Sequence, residues 1–168
     1  DSFQYLATSG GLSSVGTATV TVIPGPNDVP EAVADAYTVT EDQVLIRNAA
    51  AGVLANDSDP EGDAMQAVLV SNVAHGSLAL AADGSFTYTP AGNYFGSDSF
   101  VYRAVDPLGT SADTLVTITI TGVNDAPLAV ADSFVVQPGQ IFSGNVLAND
   151  SDPDGNPLTA VLTFTVES

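Results

Sequence analysis

One acidic loop occurs twice in the chain and constrains how the rest can fold. Residues 53–63 read Val-Leu-Ala-Asn-Asp-Ser-Asp-Pro-Glu-Gly-Asp, and residues 146–156 repeat the first eight of these before continuing Asp-Gly-Asn. In each copy an acid stands at every second position and a glycine follows the third acid. Such a loop directs carboxylate oxygens to one point, where they repel each other unless a hard divalent cation is bound. The loop therefore predicts a Ca²⁺ site.

The loop has two other possible interpretations. The second copy matches the first half of an EF-hand loop. However, Val68 and Val161 stand where the bidentate Glu of an EF-hand belongs, and the flanking residues alternate like strands. An EF-hand is therefore excluded, although calcium is not. An ordinary turn is the simpler alternative, because Asp, Asn, Gly and Pro are the preferred turn residues and duplication copies a turn as faithfully as a ligand set.

The net charge of the chain excludes several classes of binding partner. Its 20 acidic residues face only two basic ones, Arg47 and Arg103, which gives a net charge of −18. Such a charge repels phosphate backbones and anionic lipid, so neither nucleic acid nor insertion into a membrane is expected. A hydrophobic content of 45% excludes a disordered acidic tail. Cysteine and lysine are both absent, so neither disulfides nor Lys–Asn isopeptide bonds can form. A metal ion can cross-link a small β domain instead, which favours calcium.

Short segments recur at a nearly fixed spacing, which indicates a repeat protein. Asp-Ser-Phe-x-Tyr occurs at residues 1–5 and 98–102, and Asn-Asp-x-Pro occurs at 27–30 and 124–127, a spacing of 97 in both cases. The acidic loop returns after only 93 residues, so the third repeat is four residues shorter before it. We therefore predict the end of a first repeat in 1–26, a complete repeat in 27–123 and the start of a third in 124–168.

The complete repeat shows the signals of short strands and none of helices. Its last segment, residues 114–121, alternates apolar residues with threonine as a half-buried strand does. Asp83 and Gly84 form a strong hairpin signal between two strands. About seven strands in about 97 residues predict a β-sandwich. The predicted strands are 37–39, 53–55, 67–73, 77–80, 85–89, 99–105 and 114–121. The predicted core residues are Phe86, Tyr88, Phe100, Tyr102, Val116, Ile118 and Ile120.

Several segments together resemble a known family. Residues 105–109 (Val-Asp-Pro-Leu-Gly), the alternating strand and Asn124-Asp125-Ala126-Pro127 resemble the end of a cadherin repeat, and Glu41-Asp42 resembles the acidic motif near the start of one. The ensemble is similar to the cadherin-like and VCBS-type repeats of large secreted RTX-type bacterial adhesins, which are often exported by type I systems. The resemblance implies tandem Ig-like, cadherin-like Greek-key β-sandwich repeats at the bacterial cell surface or outside the cell.

The resemblance also implies Ca²⁺ between successive repeats. The implied ligands of the first junction are Asn27, Asp28, Asp57, Asp59 and Asp106. Those of the second junction are Glu41, Asp98, Asn124, Asp125, Asp150 and Asp152, with Asp154 completing the acidic loop. The Leu-Asp-Arg-Glu motif of cadherins is missing, and Pro138-Gly139 stands where the third repeat would carry its Glu41-Asp42. A full set of three ions per junction is therefore not expected.

Two classes of function remain after this step. The first is a calcium-rigidified spacer in an adhesin, and the second is a module that binds carbohydrate or protein. The spacer is favoured because repetition makes a poor single recognition site, and because Tyr94-Phe95 is the only exposed-looking aromatic pair. No enzyme is expected: the single histidine, His75, is interpreted as a turn residue in a hairpin connection, and the paired acids lie in repeated loops. Asn56 and Asn149 match a glycosylation sequon, but metal is favoured there.

The predicted partners follow from the repeats. Neighbouring repeats of the same chain are the first, and a glycan or protein at a distal tip is the second. The partial repeats at the two ends allow two interpretations: the chain is a window on a longer array, or its ends associate with other copies, head to tail. Relative to the complete repeat, only the stretch that matches residues 76–97 is missing from the two ends together.

Overall fold

The structure, a computed structural model, describes residues 1–21 and 25–162. Apart from one turn of 3₁₀ helix at Ala49–Ala51, its regular elements are all strands. This confirms the predicted all-β class. The strands are β1 Ser2–Ser9, β2 Leu12–Thr19, β3 Asp35–Thr40, β4 Leu45–Arg47, β5 Gln66–Ser71, β6 Gly76–Leu80, β7 Phe86–Pro90, β8 Gly96–Val105 and β9 Thr114–Thr121.

The complete repeat is a β-sandwich of seven strands. One sheet has the order β3-β9-β8-β5 and the other has the order β4-β7-β6. β3 runs parallel to β9, and the other pairs are antiparallel. The core between the sheets takes side chains from both. The fully or almost fully buried members include all seven predicted core residues, Phe86, Tyr88, Phe100, Tyr102, Val116, Ile118 and Ile120.

Strand periodicity explains which side chains enter the core. On β9 every second residue from Thr114 to Ile120 is buried, while the residues between them face outward. β8 alternates in the same way and buries Phe100 and Tyr102. Each large apolar side chain that is fully buried contributes roughly 1.5–3 kcal/mol. The two adjacent strands therefore supply much of the stability of the sandwich.

The β6–β7 hairpin forms at Asp83 and Gly84 as predicted. Gly84 has φ +83°, a left-handed conformation that glycine adopts without strain. The Asp83 carboxylate accepts hydrogen bonds from the backbone N–H and the hydroxyl of Ser85, at 3.0 and 2.6 Å. These contacts close the turn.

Two local predictions were wrong. Residues 53–55 form a turn rather than a strand: Val53 is fully buried and donates its N–H to the carbonyl of Gly84. A short apolar run such as residues 53–55 can be buried in a turn as well as in a strand, so its hydrophobicity alone does not distinguish them. Strand β4 was missed because three residues, of which only Leu45 is buried, give no periodic signal.

The connection at His75 also differs from the prediction. It joins β5 to β6, which belong to different sheets, so it is a crossover between sheets and not a hairpin. The His75 ring stacks on Tyr94, with ring centroids 4.1 Å apart. Of the aromatic pair that looked exposed in the sequence, Tyr94 packs against the core, whereas Phe95 is 51% exposed.

The two end segments differ from each other in structure. β1 and β2 form a hairpin through Gly10 and Gly11, and Phe3 pairs with Ala18 as Phe100 pairs with Val116 in the complete repeat. In the described part of the third segment, residues 124–162, the only strand-like pairing is the bridge between Leu128 and Ser151. The division of the chain into three repeats stays a prediction.

Two carboxylates lie near each other at the edge of the core. Asp35 has one oxygen that is buried without a hydrogen-bond partner. Partial burial and the nearby charge of Asp57 raise the pKa of Asp35 to about 6, although hydrogen bonds from Tyr37 and Asn56 oppose the change. Since the folded state binds this proton more tightly than the unfolded chain, the stability associated with Asp35 is lost as the pH rises from about 4 to 6.

Asp35→Asn should therefore stabilise the domain at neutral pH. The amide keeps an acceptor for Tyr37 and removes the repulsion from Asp57, so we expect a gain of about 1 kcal/mol at pH 7 after allowance for solvent screening, and much less near pH 4. Chemical unfolding at both pH values measures the difference. An equal gain at both would show that the charge of Asp35 is not the cause.

Candidate metal centre at the repeat junctions

The first acidic loop is held by its own carboxylates. One oxygen of Asp59 accepts hydrogen bonds from the backbone N–H groups of Glu61, at 3.1 Å, and Asp63, at 2.9 Å. Gly62 turns the chain with φ +78°. The other oxygen of Asp59 is buried and has no partner. One half of this carboxylate thus fixes the loop, and the other half is free for a ligand.

The second loop repeats these contacts with the residues found 93 positions later. Asp152 accepts hydrogen bonds from the N–H groups of Asp154, at 3.0 Å, and Asn156, at 3.1 Å, and Gly155 has φ +73°. The same geometry in both copies indicates that the local sequence determines the loop conformation.

Each linker binds the loop that follows it. The backbone N–H of Asp28 donates to the carboxylate of Glu61 at 3.1 Å, and in the next repeat the N–H of Asp125 donates to Asp154 at 2.7 Å. The third acid of each loop therefore positions the linker aspartate. Glu61 was absent from the predicted ligands, although its loop position matches that of Asp154 and this repetition is the signal that would have found it.

Three acids from separate parts of the chain meet at the second junction. Glu41 follows β3, Asp125 belongs to the linker and Asp154 belongs to the second acidic loop, and one oxygen of each lies within 4.8 Å of the others. Glu41 is only 2% exposed. One of its oxygens accepts a hydrogen bond from the N–H of Val123, and the other has no partner. One oxygen of Asp125 is also buried without a partner.

The electrostatics of this cluster favour a cation. Partial burial, followed by the charges of Asp42, Asp154, Glu41 and Asp152, raises the pKa of Asp125. Unpaired carboxylate oxygens held this close are the ligands that Ca²⁺ prefers. The residues present therefore fit a calcium ion at the second junction.

The first junction brings together three of its predicted residues. The amide of Asn27 donates to Asp106 at 3.0 Å, and Asp59 lies beside this carboxylate. The Asn27 hydrogen bond lowers the pKa of Asp106 and outweighs its burial, with further help from the N–H groups of Leu108 and Gly109. Asp106 is thus kept ionised next to the unpaired oxygen of Asp59.

Asp57 and Asp150 both accept hydrogen bonds from the segment that precedes their loop. Asp57 accepts the N–H of Val33 at 2.8 Å and the hydroxyl of Tyr102 at 3.0 and 2.9 Å. Asp150 accepts the N–H of Val130 at 2.8 Å. These carboxylates face their own repeat, where they anchor the loop.

Asp98 is also occupied within its own domain. It is 4% exposed and accepts hydrogen bonds from the N–H groups of Ala74, His75 and Ser99 and from the hydroxyl of Tyr88. Burial alone would raise the pKa of Asp98, but these hydrogen bonds outweigh it and lower the pKa. Asp98 therefore fixes the crossover between the sheets and does not join the acidic cluster. Asn124, by contrast, lies at the junction and accepts a hydrogen bond from Asn156 at 2.8 Å.

Comparison with known proteins identifies the repeats. Residues 27–122 match the family model of the bacterial cadherin-like domain. The chain belongs to this family. Residues 124–168 match the bacterial Ig domain, so the predicted likeness to cadherin-like and Ig-like bacterial repeats is confirmed. Domains of these families are typically non-catalytic and usually extracellular or on the cell surface, and cadherin-like domains generally bind Ca²⁺.

The solved structures that resemble this one are larger proteins. A variant of the endo-fucoidan hydrolase MfFcnA4 from glycoside hydrolase family 107 is 18% identical, with a TM-score of 0.42, over 76% of this chain and 21% of that one. A nucleoside hydrolase-related hypothetical protein from Saccharophagus degradans is 16% identical, with a TM-score of 0.40, over 56% and 26%. The cadherin-like chain thus spans about a fifth to a quarter of their length. No curated protein matches it. Within the described residues, no helix has the length and apolarity needed to cross a membrane.

Replacing Asp98 tests its structural role. Asp98→Ala leaves four donors without their acceptor, so the cadherin-like domain should lose roughly 2–4 kcal/mol of stability. The stabilisation by calcium should stay the same as in the parent. Chemical unfolding in calcium and in EDTA measures both quantities. A variant with parental stability in EDTA and no response to calcium would instead place Asp98 among the ligands.

Proposed function

We propose that this chain is a calcium-rigidified structural repeat region of a secreted or cell-surface bacterial adhesin. In this role it forms part of a stalk or filament that supports cell adhesion by holding an adhesive tip away from the cell. The observation that carries the proposal is the cluster of Glu41, Asp125 and Asp154, which joins the complete repeat, the linker and the following loop. Its families, the bacterial cadherin-like and bacterial Ig domains, support the more general role of an extracellular structural repeat.

A cation in the cluster would connect three segments that are otherwise joined by a short linker. Glu41 is rigid because it is buried and because its backbone N–H donates to the carbonyl of Thr121 at the end of β9. Asp125 and Asp154 are already linked by a hydrogen bond. Glu41 thus supplies a fixed ligand from the complete repeat. Asp125 and Asp154 supply a pair of ligands from the other side of the junction. The bound ion would neutralise their mutual repulsion, and the next repeat would be held at a fixed angle.

The first junction supports the same function with a partial ligand set. Asp59 and Asp106 approach each other, and Asn27 donates its amide to Asp106. These three residues belong to the complete repeat and to the linker before it. They would provide the downstream half of a junction site, in the way that Asp125 and Asp154 provide it for the second junction.

The position of Phe95, the exposed member of the Tyr94-Phe95 pair, favours the spacer over a binding module. Phe95 lies against Gly122 and borders a cavity of about 260 Å³ that Val123 and Asp154 also line. This cavity is at the junction, beside the acidic cluster. Phe95 is therefore oriented toward the next repeat and does not form a platform for a sugar ring.

Calcium should stabilise the chain substantially. Binding to the folded state alone contributes RT ln(1 + [Ca²⁺]/Kd), about 2.7 kcal/mol at a hundredfold excess over Kd. We expect EDTA to lower the melting temperature by several degrees. A Glu41→Gln/Asp125→Asn double variant should lose most of this response, because it removes two ligands. Calorimetric titration and thermal unfolding measure the two effects.

Asp63→Asn is the matched control for charge. Its counterpart in the second loop is already Asn156, and only the backbone N–H of Asp63 takes part in the loop. This control should keep the calcium response of the parent. A parental melting curve that does not change in EDTA would leave the acidic loops as ordinary turns.

Junction ligands should affect shape more than folding. Glu41→Gln should loosen the angle between the complete repeat and the segment after it, while the core of the sandwich keeps its stability in EDTA. Small-angle scattering in calcium measures the maximum dimension and its spread. If the variant is as extended and as uniform as the parent, the ion does not connect the two segments.

A further inference from the structure

Phe95 is a large apolar side chain that stays half exposed beside the second junction. It follows Tyr94, which packs against the core, whereas Phe95 itself is 51% exposed. Its Cβ and Cγ each lie 3.4 Å from the point that a Cβ atom on Gly122 would occupy. Gly122 follows the end of β9 and precedes Val123, whose N–H donates to Glu41. Phe95 therefore packs on the backbone that holds the candidate ligand Glu41.

Glu41 approaches the same glycine. Its Oε1 lies 3.5 Å from the same Cβ position of Gly122, so Glu41 and Phe95 flank one backbone residue. Glu41 is 2% exposed, and its second oxygen has no hydrogen-bond partner. A side chain at residue 122 would contact both neighbours. The glycine thus allows an apolar ring and a buried carboxylate to stand close together.

Phe95 also borders the segment that follows the linker. The cavity of about 260 Å³ beside it is lined in part by Val123, Asp154 and Asn156. Asn156 donates its side-chain amide to Asn124 at 2.8 Å, so this part of the second acidic loop is tied to the linker. Phe95 thus shares a cavity with a loop that carries one of the candidate ligands.

We propose that Phe95 is a positioning residue of the calcium site at the second junction. Its ring covers the Glu41 side of the acidic cluster, and it packs against the loop at residues 154–156 when the ion is bound. The inference rests on the proposed calcium junction and adds an apolar contact that the acidic ligands do not supply.

An apolar ring beside Glu41 strengthens the attraction of this carboxylate for a cation. The ring keeps water away and lowers the local dielectric constant, so the attraction is screened less than in bulk water. The unpaired oxygen of Glu41 is already buried in the metal-free chain. Binding therefore adds little further desolvation at this ligand, and removing the ring should weaken binding.

The packing of Phe95 should depend on the charge of the cluster. Asp154 has an oxygen within 4.8 Å of oxygens of Glu41 and Asp125. Like charges this close repel each other, which opposes a closer approach of the loop until a cation neutralises them. Burial of the half-exposed ring is then favourable. Calcium binding and the packing of Phe95 should therefore each favour the other.

Calorimetric titration of the 168-residue chain with calcium tests the role of Phe95. Phe95→Ala should weaken calcium binding about tenfold, because it removes both the cover over Glu41 and the contact with the loop. Phe95→Leu keeps an apolar side chain and should weaken binding less. Chemical unfolding in EDTA should give both variants a stability close to that of the parent, since Phe95 lies outside the buried core.

Leu115→Ala is the matched control for loss of apolar surface. Leu115 is 49% exposed on β9, toward the end of the strand opposite to Gly122. This variant removes a side chain of nearly equal exposure that is remote from the acidic cluster. It should bind calcium like the parent.

Tryptophan fluorescence tests the packing itself, because the natural chain has no tryptophan. The emission of Phe95→Trp should shift to shorter wavelength as calcium is added, with a midpoint that matches the Kd from calorimetry. Leu115→Trp should show no such shift. The shift should also disappear when Phe95→Trp is combined with Glu41→Gln and Asp125→Asn, and a shift that persists there would overturn the proposal.

Failure of the inference and failure of the calcium junction give different results. A parent chain that does not bind calcium would overturn both. A parent that binds calcium, with Phe95→Ala binding it equally well, would overturn only the role of Phe95. The same conclusion would follow if the emission of Phe95→Trp did not respond to calcium, or if Leu115→Ala weakened binding as much as Phe95→Ala.

Discussion

The hydrogen bond from Tyr102 to Asp57 connects the hydrophobic core to the acidic loop. Tyr102 is fully buried on β8, and its hydroxyl also donates to the carbonyl of Val53 at 2.8 Å. Burial, and then the carboxylate of Asp57, raise the pKa of the hydroxyl, so it stays protonated and acts as a donor. A hydrogen bond to a charged acceptor contributes roughly 1.5–3 kcal/mol. The loop is thus positioned by the core, and its remaining acids are positioned with it.

The three acids of one loop have three separate tasks. Asp57 faces the core, Asp59 fixes the loop backbone with one oxygen, and Glu61 receives the N–H of the linker residue Asp28. The alternating acids therefore do not form one convergent ligand set. They are divided between anchoring the loop to its own repeat and holding the linker. This division explains why the loop keeps its shape in both copies. The acid cluster of the second junction is completed by Glu41, which lies outside the loop.

Sequence reasoning predicted the features that depend on local pattern. The alternation of β9 gave the buried residues Val116, Ile118 and Ile120, and Asp83 with Gly84 gave the hairpin. It predicted that Glu41 and Asp125 belong to one junction, and the structure brings these two together with Asp154. The strand predicted at 53–55 was wrong because the conformation of these residues depends on partners distant in sequence, such as Gly84 for Val53. The hydrogen bonds that Asp98 receives from Ala74 and Tyr88 are equally invisible to local pattern.

The burial of Glu41 is a physical reason to expect a cation at the junction, which the family resemblance also implies. A carboxylate that is 2% exposed, with one oxygen lacking a partner, is costly to bury unless a charge or a donor compensates it. Among the described residues, the carboxylates with an oxygen within 4.8 Å of one of its own include Asp125 and Asp154, which add repulsion. Arg47 and Arg103, the two basic side chains, are held elsewhere: Arg103 pairs with Asp113 and Arg47 lies over the ring of Tyr37. Neither arginine therefore compensates the charge of this cluster, whose acids would fit a divalent cation.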